Sequence, residues 1–172
     1  MITCLDIENT FTDKNSAPYD GENQLVSVGY KTNTGEENYL CFYHCEKTPT
    51  KNNFGILQDV LNRTDLLIGH NIKYDLQWLL YCGFKYEGSL WDTMGVEYLL
   101  ARGMARELSL DASCKRRKVQ QKKAGLVNGW EKQPDEMDWA VLEEYGRQDV
   151  ASTFDLAYAQ SELLEVNIEE WR

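Results

Sequence analysis

No stretch of this chain approaches the roughly 20 consecutive apolar residues that cross a bilayer, and Met1 runs directly into a strand-like segment that leaves no room for a signal peptide. A soluble, cytoplasmic protein is expected. Paired cysteines are missing as well. Cys4, Cys41, Cys45, Cys82 and Cys114 contain no CxxC, and their odd number argues against a disulfide framework. Cys41, His44 and Cys45 show no two further ligands and lie beside strand-like alternation, so a zinc site is not expected. Basic charge is scarce: 18 Lys and Arg against 28 Asp and Glu give a net charge of −10. Affinity for a polyanion comes mainly from Lys and Arg, so this chain should bind nucleic acid weakly unless cations neutralise its carboxylates. No internal repeat, low-complexity tract or linker divides the 172 residues, which read as a single domain, 1–172, with a real core.

Three short acidic segments stand out against this background: Asp6-Ile7-Glu8, Asn71-Ile72-Lys73-Tyr74-Asp75 and Tyr145-Gly146-Arg147-Gln148-Asp149. Ile2 to Glu8 has the composition of a central strand, and its period of two puts Asp6 and Glu8 on one face, Leu5 and Ile7 on the other. Leu25–Tyr30 and Asn38–Tyr43 read as two further strands around a Thr34-Gly35 turn, completing an antiparallel meander. A helix follows from Phe54 to Leu61, then a short buried strand from Asp65 to His70.

A second helix begins at Lys73 with Leu76, Leu79 and Leu80 as its apolar stripe and Gly83 at its end, so Asp75 falls on a first turn beyond a strand end. Ser89–Thr93 reads as a strand end leading into a helix through Val96, Leu99 and Leu100. A short helix from Leu108 gives way to a basic loop, Lys115 to Pro134, and a long helix from Met137 to Leu164 carries Tyr145 and Asp149 on one face. The sum is an α/β fold around a mixed sheet.

These motifs, in this order, resemble the DnaQ-like (DEDD) 3′–5′ exonuclease superfamily, over about residues 1 to 165. Asp6 and Glu8 match its first motif, Asp75 its second and Asp149 its third. One branch of that superfamily places a Tyr four residues before the last Asp, the other a His five before it. Here Tyr145 is present, Glu144 stands at the His position, and both histidines, His44 and His70, precede the motif. The chain therefore looks like the Tyr branch, and Gly-His-Asn-x-Lys-Tyr-Asp (69–75) resembles the proofreading domains of phage-type family A DNA polymerases.

The resemblance implies an RNase H-like fold and two Mg²⁺ or Mn²⁺ ions. Asp6 would bridge the ions, with Glu8 and Asp149 on one and Asp75 on the other, and Tyr145 would orient the attacking water. It also implies a DNA 3′ end as substrate, single-stranded by preference, release of nucleoside 5′-monophosphates, a DNA polymerase as possible partner, and host cytoplasm if the gene is a phage's. Asn9, His70 and Asn71 are expected at the nucleotide. Lys115, Arg116 and Arg117 head the main basic cluster and are expected on the phosphate backbone. Asp92 reads equally as an auxiliary acid or as a helix cap. An RNase D-like trimmer of RNA, or an idle module that binds nucleic acid or a polymerase, is the competing reading.

Overall fold

The computed structural model describes residues 1–13, 15–119 and 133–171. Its centre is β1 (Ile2–Asn9), where six of eight residues are buried and only Asp6 and Glu8 reach partial exposure. A strand so apolar must be covered on both faces, and alternate residues divide between two cores. Leu5 and Ile7 join Val28, Leu40, Leu67, Trp78 and Leu79 on one side, while Ile2 and Cys4 join Ile68, Trp91, Val150 and Ala157 on the other.

β2 (Leu25–Thr32) and β3 (Glu37–Cys41) extend the sheet antiparallel, and β4 (Leu66–Gly69) and β5 (Ser89–Asp92) extend it parallel on the opposite side. The order is β3-β2-β1-β4-β5, the expected α/β architecture with a mixed sheet and N-terminal meander. β3 stops short of Tyr43 because the Val26 carbonyl accepts from both Phe42 and Tyr43 N–H, at 2.8 and 3.1 Å, which breaks the ladder.

α1 (Asn53–Arg63) and α2 (Ile72–Tyr81) supply the larger core on one face of the sheet. α5 (Trp139–Leu163) crosses the other face, with α3 (Thr93–Leu100) and α4 (Leu110–Arg117) packed against it. Among the described residues no helix is long and apolar enough to cross a membrane.

Several local expectations are corrected. The buried stripe of α2 is Ile72, Asp75, Trp78 and Leu79, while Leu80 is 55% exposed. Trp78 takes the inward position because its large ring fills the core and its Nε1 donates to the Ser16 carbonyl at 3.2 Å. Gly83 does terminate this helix, at φ 91, with Phe84 N–H donating to Leu79 O and Gly83 N–H to Leu80 O. α3 buries Thr93 and Glu97 and leaves Leu99 70% exposed, an inversion explained by the polar network below. Of the expected basic loop Lys115 to Pro134, Lys115, Arg116 and Arg117 belong to α4, which ends at left-handed Lys118, φ 58, Pro134 begins a short 3-10 turn, and residues 120–132 lie outside the described residues. α5 starts at Trp139 because the Asp138 carboxylate caps it, accepting from Ala140 and Val141 N–H at 2.9 and 3.2 Å.

Candidate active site

Asp6 and Glu8 lie on the α5 side of β1, near its C-terminal end, and Asp6 pairs in register with Gly29 of β2. Between the two acids, the Ile7 N–H donates across the sheet edge to Asp75 Oδ1 at 3.2 Å. The second motif is thus tied to the backbone of the first. Asp75 reaches that point because β4 ends at Gly69 and the chain reverses at once through Asn71, which sits in the left-handed region at φ 65. The Asn71 N–H donates to Asp92 Oδ1 at 2.9 Å, and the same oxygen caps α3 at Met94 and Gly95. Asp92 therefore works as a cap and a brace for the turn. Burial pushes the Asp75 carboxyl up to about 8, against the Ile7 hydrogen bond, and the charge of Asp92 adds to the rise.

α5 brings the third motif. Asp149 is buried and Tyr145 half-buried on the helix. The helix descends this far because two glycines clear its path. A Cβ on Gly146 would lie 2.3 Å from Tyr39 Cε2, and one on Gly29 would lie 3.1 Å from Val150 Cγ2. Tyr39, fixed by a 2.8 Å hydrogen bond between its hydroxyl and Ser27 Oγ, is the floor on which α5 rests. Cys4 Sγ donates to the Val150 carbonyl at 3.5 Å, one residue from Asp149.

The fields of the acids overlap at these neighbours. Burial first, then the charges of Asp6 and Asp75, raise the Cys4 thiol; burial first, then Glu8 and more weakly Asp6, raise the Tyr39 phenol. The donor chemistry fits a hard divalent cation: all four groups are carboxylates, and a cation would relieve the burial cost at Asp75. As the side chains stand, no three acids, histidines or cysteines among the described residues close into a ready ligand cluster. Asp6, Glu8, Asp75 and Asp149 are the residues whose chemistry suits such an ion, once their side chains rearrange around it.

The residues expected at the substrate fare differently. Asn9 is buried and spent on the fold: its Oδ1 accepts from Tyr74 OH at 2.7 Å, and its Nδ2 donates to the Thr10 and Ser16 carbonyls. His70 Nε2 donates to Leu108 O at 2.8 Å, and its Nδ1 is 2.8 Å from Thr93 Oγ1, so both ring nitrogens brace the turn. Arg116 and Arg117 do not lie open for a phosphate. Both pair with Glu97, whose side chain is fully buried, at 2.5 and 2.7 Å. Burial would raise the Glu97 carboxyl, but hydrogen bonds from Arg117, Gln160 and Arg116 outweigh it and hold the pKa below its usual value. Lys115 remains exposed on α4.

The bracing roles of Tyr39, Gly29, Gly146, Tyr74 and Glu97 were not foreseen from the sequence, although Tyr74 and Gly146 stand inside the second and third motifs. Only the glycines left a signal there, since Gly146 interrupts a helical period.

A family model described as 3′–5′ exonuclease (DNA_pol_A_exo1) matches residues 6–165, from the first acid of β1 to just past the end of α5. Comparison with curated protein sequences finds no significant match. Among solved structures, NrnC of Brucella melitensis superposes with a TM-score of 0.67 at 19% identity, over 95% of this chain and 73% of its own. NrnC bound to pGG gives 0.66 at 18% over the same shares, and NrnC with bound Mg²⁺ gives 0.66 at 17%. The POL domain of Pol1 from M. smegmatis, in complex with DNA primer-template and dNTP, gives 0.62 at 17% over 95% of this chain and 23% of its own. These likenesses establish an RNase H-like fold.

Proposed function

Starting from a chain that belongs to the 3′–5′ exonuclease family, we propose that it is a metal-dependent enzyme of the Tyr branch that removes nucleoside 5′-monophosphates from single-stranded or frayed DNA 3′ ends. The observation that carries this reading is the Asp75–Ile7 hydrogen bond, which ties the second-motif carboxylate to the backbone between Asp6 and Glu8. α5, seated on Gly29 and Tyr39, brings Val150, the neighbour of Asp149, over the register partner of Asp6.

Asp6, Glu8, Asp75 and Asp149 would hold two Mg²⁺ or Mn²⁺ ions. When bound, such ions neutralise phosphate charge and lower the pKa of water toward neutrality. Tyr145, on the half-exposed face of α5, orients the attacking water through its phenol oxygen, since a neutral phenol is too weak to be the base itself. Its substitution Tyr145→Phe is expected to lower kcat about a hundredfold and to leave the Mn²⁺ titration unchanged. Retained kcat in that variant would remove Tyr145 from the mechanism.

Digestion of matched 5′-labelled single-stranded DNA, duplex DNA and RNA with Mg²⁺ or Mn²⁺ tests the whole reading. A descending ladder on DNA supports it. A preference for RNA or for dinucleotides supports instead the trimming chemistry suggested by the likeness to NrnC bound to pGG. Stimulation by a DNA polymerase added in trans would support proofreading as the setting.

A further inference from the structure

Beside Glu8 lies a cavity of about 510 Å³ whose walls include Ile7, Asn9, Phe11, Asn15, Tyr74 and Pro134. Its outer wall is the polar segment that follows β1, which has little apolar surface to fix it. Hydrogen bonds hold that wall along its length: Thr10 N–H donates to Gln24 O at 2.9 Å, and Asn23 Nδ2 donates to Ala17 O at 3.0 Å. On the inner side, the Ser16 carbonyl accepts from Tyr74 OH at 3.0 Å and from Trp78 Nε1 at 3.2 Å. On the outer side Phe11 is engaged by a partner 122 positions away. Gln133 Oε1 accepts from the Phe11 N–H at 3.0 Å while Gln133 Nε2 donates to the Phe11 carbonyl at 2.9 Å.

One side-chain amide thus satisfies both backbone groups of one residue, as a neighbouring strand would. Gln133 is itself anchored, because the next turn begins at Pro134 and the Asp135 carbonyl accepts from Cys45 N–H at 3.0 Å. The contact is exposed, so water can replace it at little cost to folding. What water cannot replace is the position of the wall.

We infer that Gln133 is a positioning residue for the reaction: by pinning Phe11 it fixes the outer wall of the cavity relative to Glu8 and so sets the fit of the nucleotide admitted there. This rests on the nuclease reading above.

Three variants, Gln133→Ala, Gln133→Asn and Gln133→Glu, test it in the full chain. Loss of the clamp loosens ground-state and transition-state binding together, so Gln133→Ala is expected to raise KM for a labelled oligodeoxynucleotide about tenfold with kcat within about twofold. Asn carries the same amide one carbon short and should behave as Ala does. Glu can accept from the Phe11 N–H but cannot donate to its carbonyl when ionised, and should fall between wild type and Ala.

Two readouts need no turnover: faster hydrogen exchange of the Phe11 amide by NMR, and weaker binding of dTMP in the presence of Mn²⁺, both expected in Gln133→Ala. An unchanged KM, a fall in kcat alone, or unaltered Phe11 exchange overturns the assignment. A wild type inactive on every substrate would sink the nuclease reading instead, while Phe11 exchange and dTMP binding would still decide whether Gln133 shapes the cavity.

Discussion

Asp75→Asn is expected to abolish nuclease activity, by at least a factor of about a hundred, and at the same time to make the metal-free protein more stable. Asn keeps the oxygen that accepts from Ile7 N–H, so the brace between the first two motifs survives. What it removes is a charge held where burial resists it. An unfolded Asp titrates near 3.9, whereas in the fold Asp75 is pushed up to about 8.

Between those values the folded state binds the proton more readily than the unfolded one. Stability therefore falls as pH rises from about 4 toward about 8, and the full penalty applies above that. The penalty is on the order of 3 kcal/mol, discounted for relaxation around a buried acid, which corresponds to roughly 10 °C in melting temperature for a chain of this size. Thermal melts in EDTA at stepped pH would show this slope in the wild type and its loss in the variant. Mn²⁺ should restore the wild type at pH 8 and do little for the variant. Parallel slopes in the two proteins would mean that Asp75 is not the group that resists ionisation.

Gly146→Ala should be nearly as damaging, through geometry alone. Its Cβ would sit 2.3 Å from Tyr39 Cε2 and 2.7 Å from the Tyr39 hydroxyl oxygen, so either the ring or the helix must move. Tyr39 is held by Ser27 and lies in the core with Val26 and Leu142, which leaves the helix as the part that yields. Overpacking of this kind costs about 1–3 kcal/mol. A displacement of about 1 Å in groups that must align is worth about a hundredfold in rate.

The check is a double-mutant cycle with Tyr39→Leu, which removes the colliding atoms. The double variant should be no less active than Tyr39→Leu alone, giving a coupling of about 1–2 kcal/mol in chemical denaturation. Simple additivity would show that the glycine serves the helix in some other way.

These two residues mark how far the sequence could be read. Asp75 was legible because a carboxylate six positions past a strand-ending glycine announces both its location and its chemistry. The alternation in β1, the Gly83 stop and the two short strands after the meander were legible for the same reason: each is a local rule with one dominant cause.

Gly146 was not, because its role depends on Tyr39, 107 positions earlier. The basic run at 115–117 misled in the same way, since composition cannot reveal that Glu97 waits inside the fold for two of its arginines. His70 matched a motif and Asn9 follows the first one at a position where relatives carry Thr, yet their hydrogen-bonding capacity is used by Tyr74, Ser16, Thr93 and Leu108. Pairings across long stretches of chain follow from packing, and packing is not written in any single segment.

The order of the acids along the chain has a consequence during synthesis on the ribosome. Asp6, Glu8 and Asp75 emerge before α5 and can gather as soon as β1, β4 and α2 associate, whereas α5 comes more than fifty residues after α2. Until it leaves the exit tunnel and settles over Gly29, a nascent chain carries an incomplete set of carboxylates. On the mechanism proposed above, such a chain would not degrade the nucleic acid that surrounds it while it is being translated.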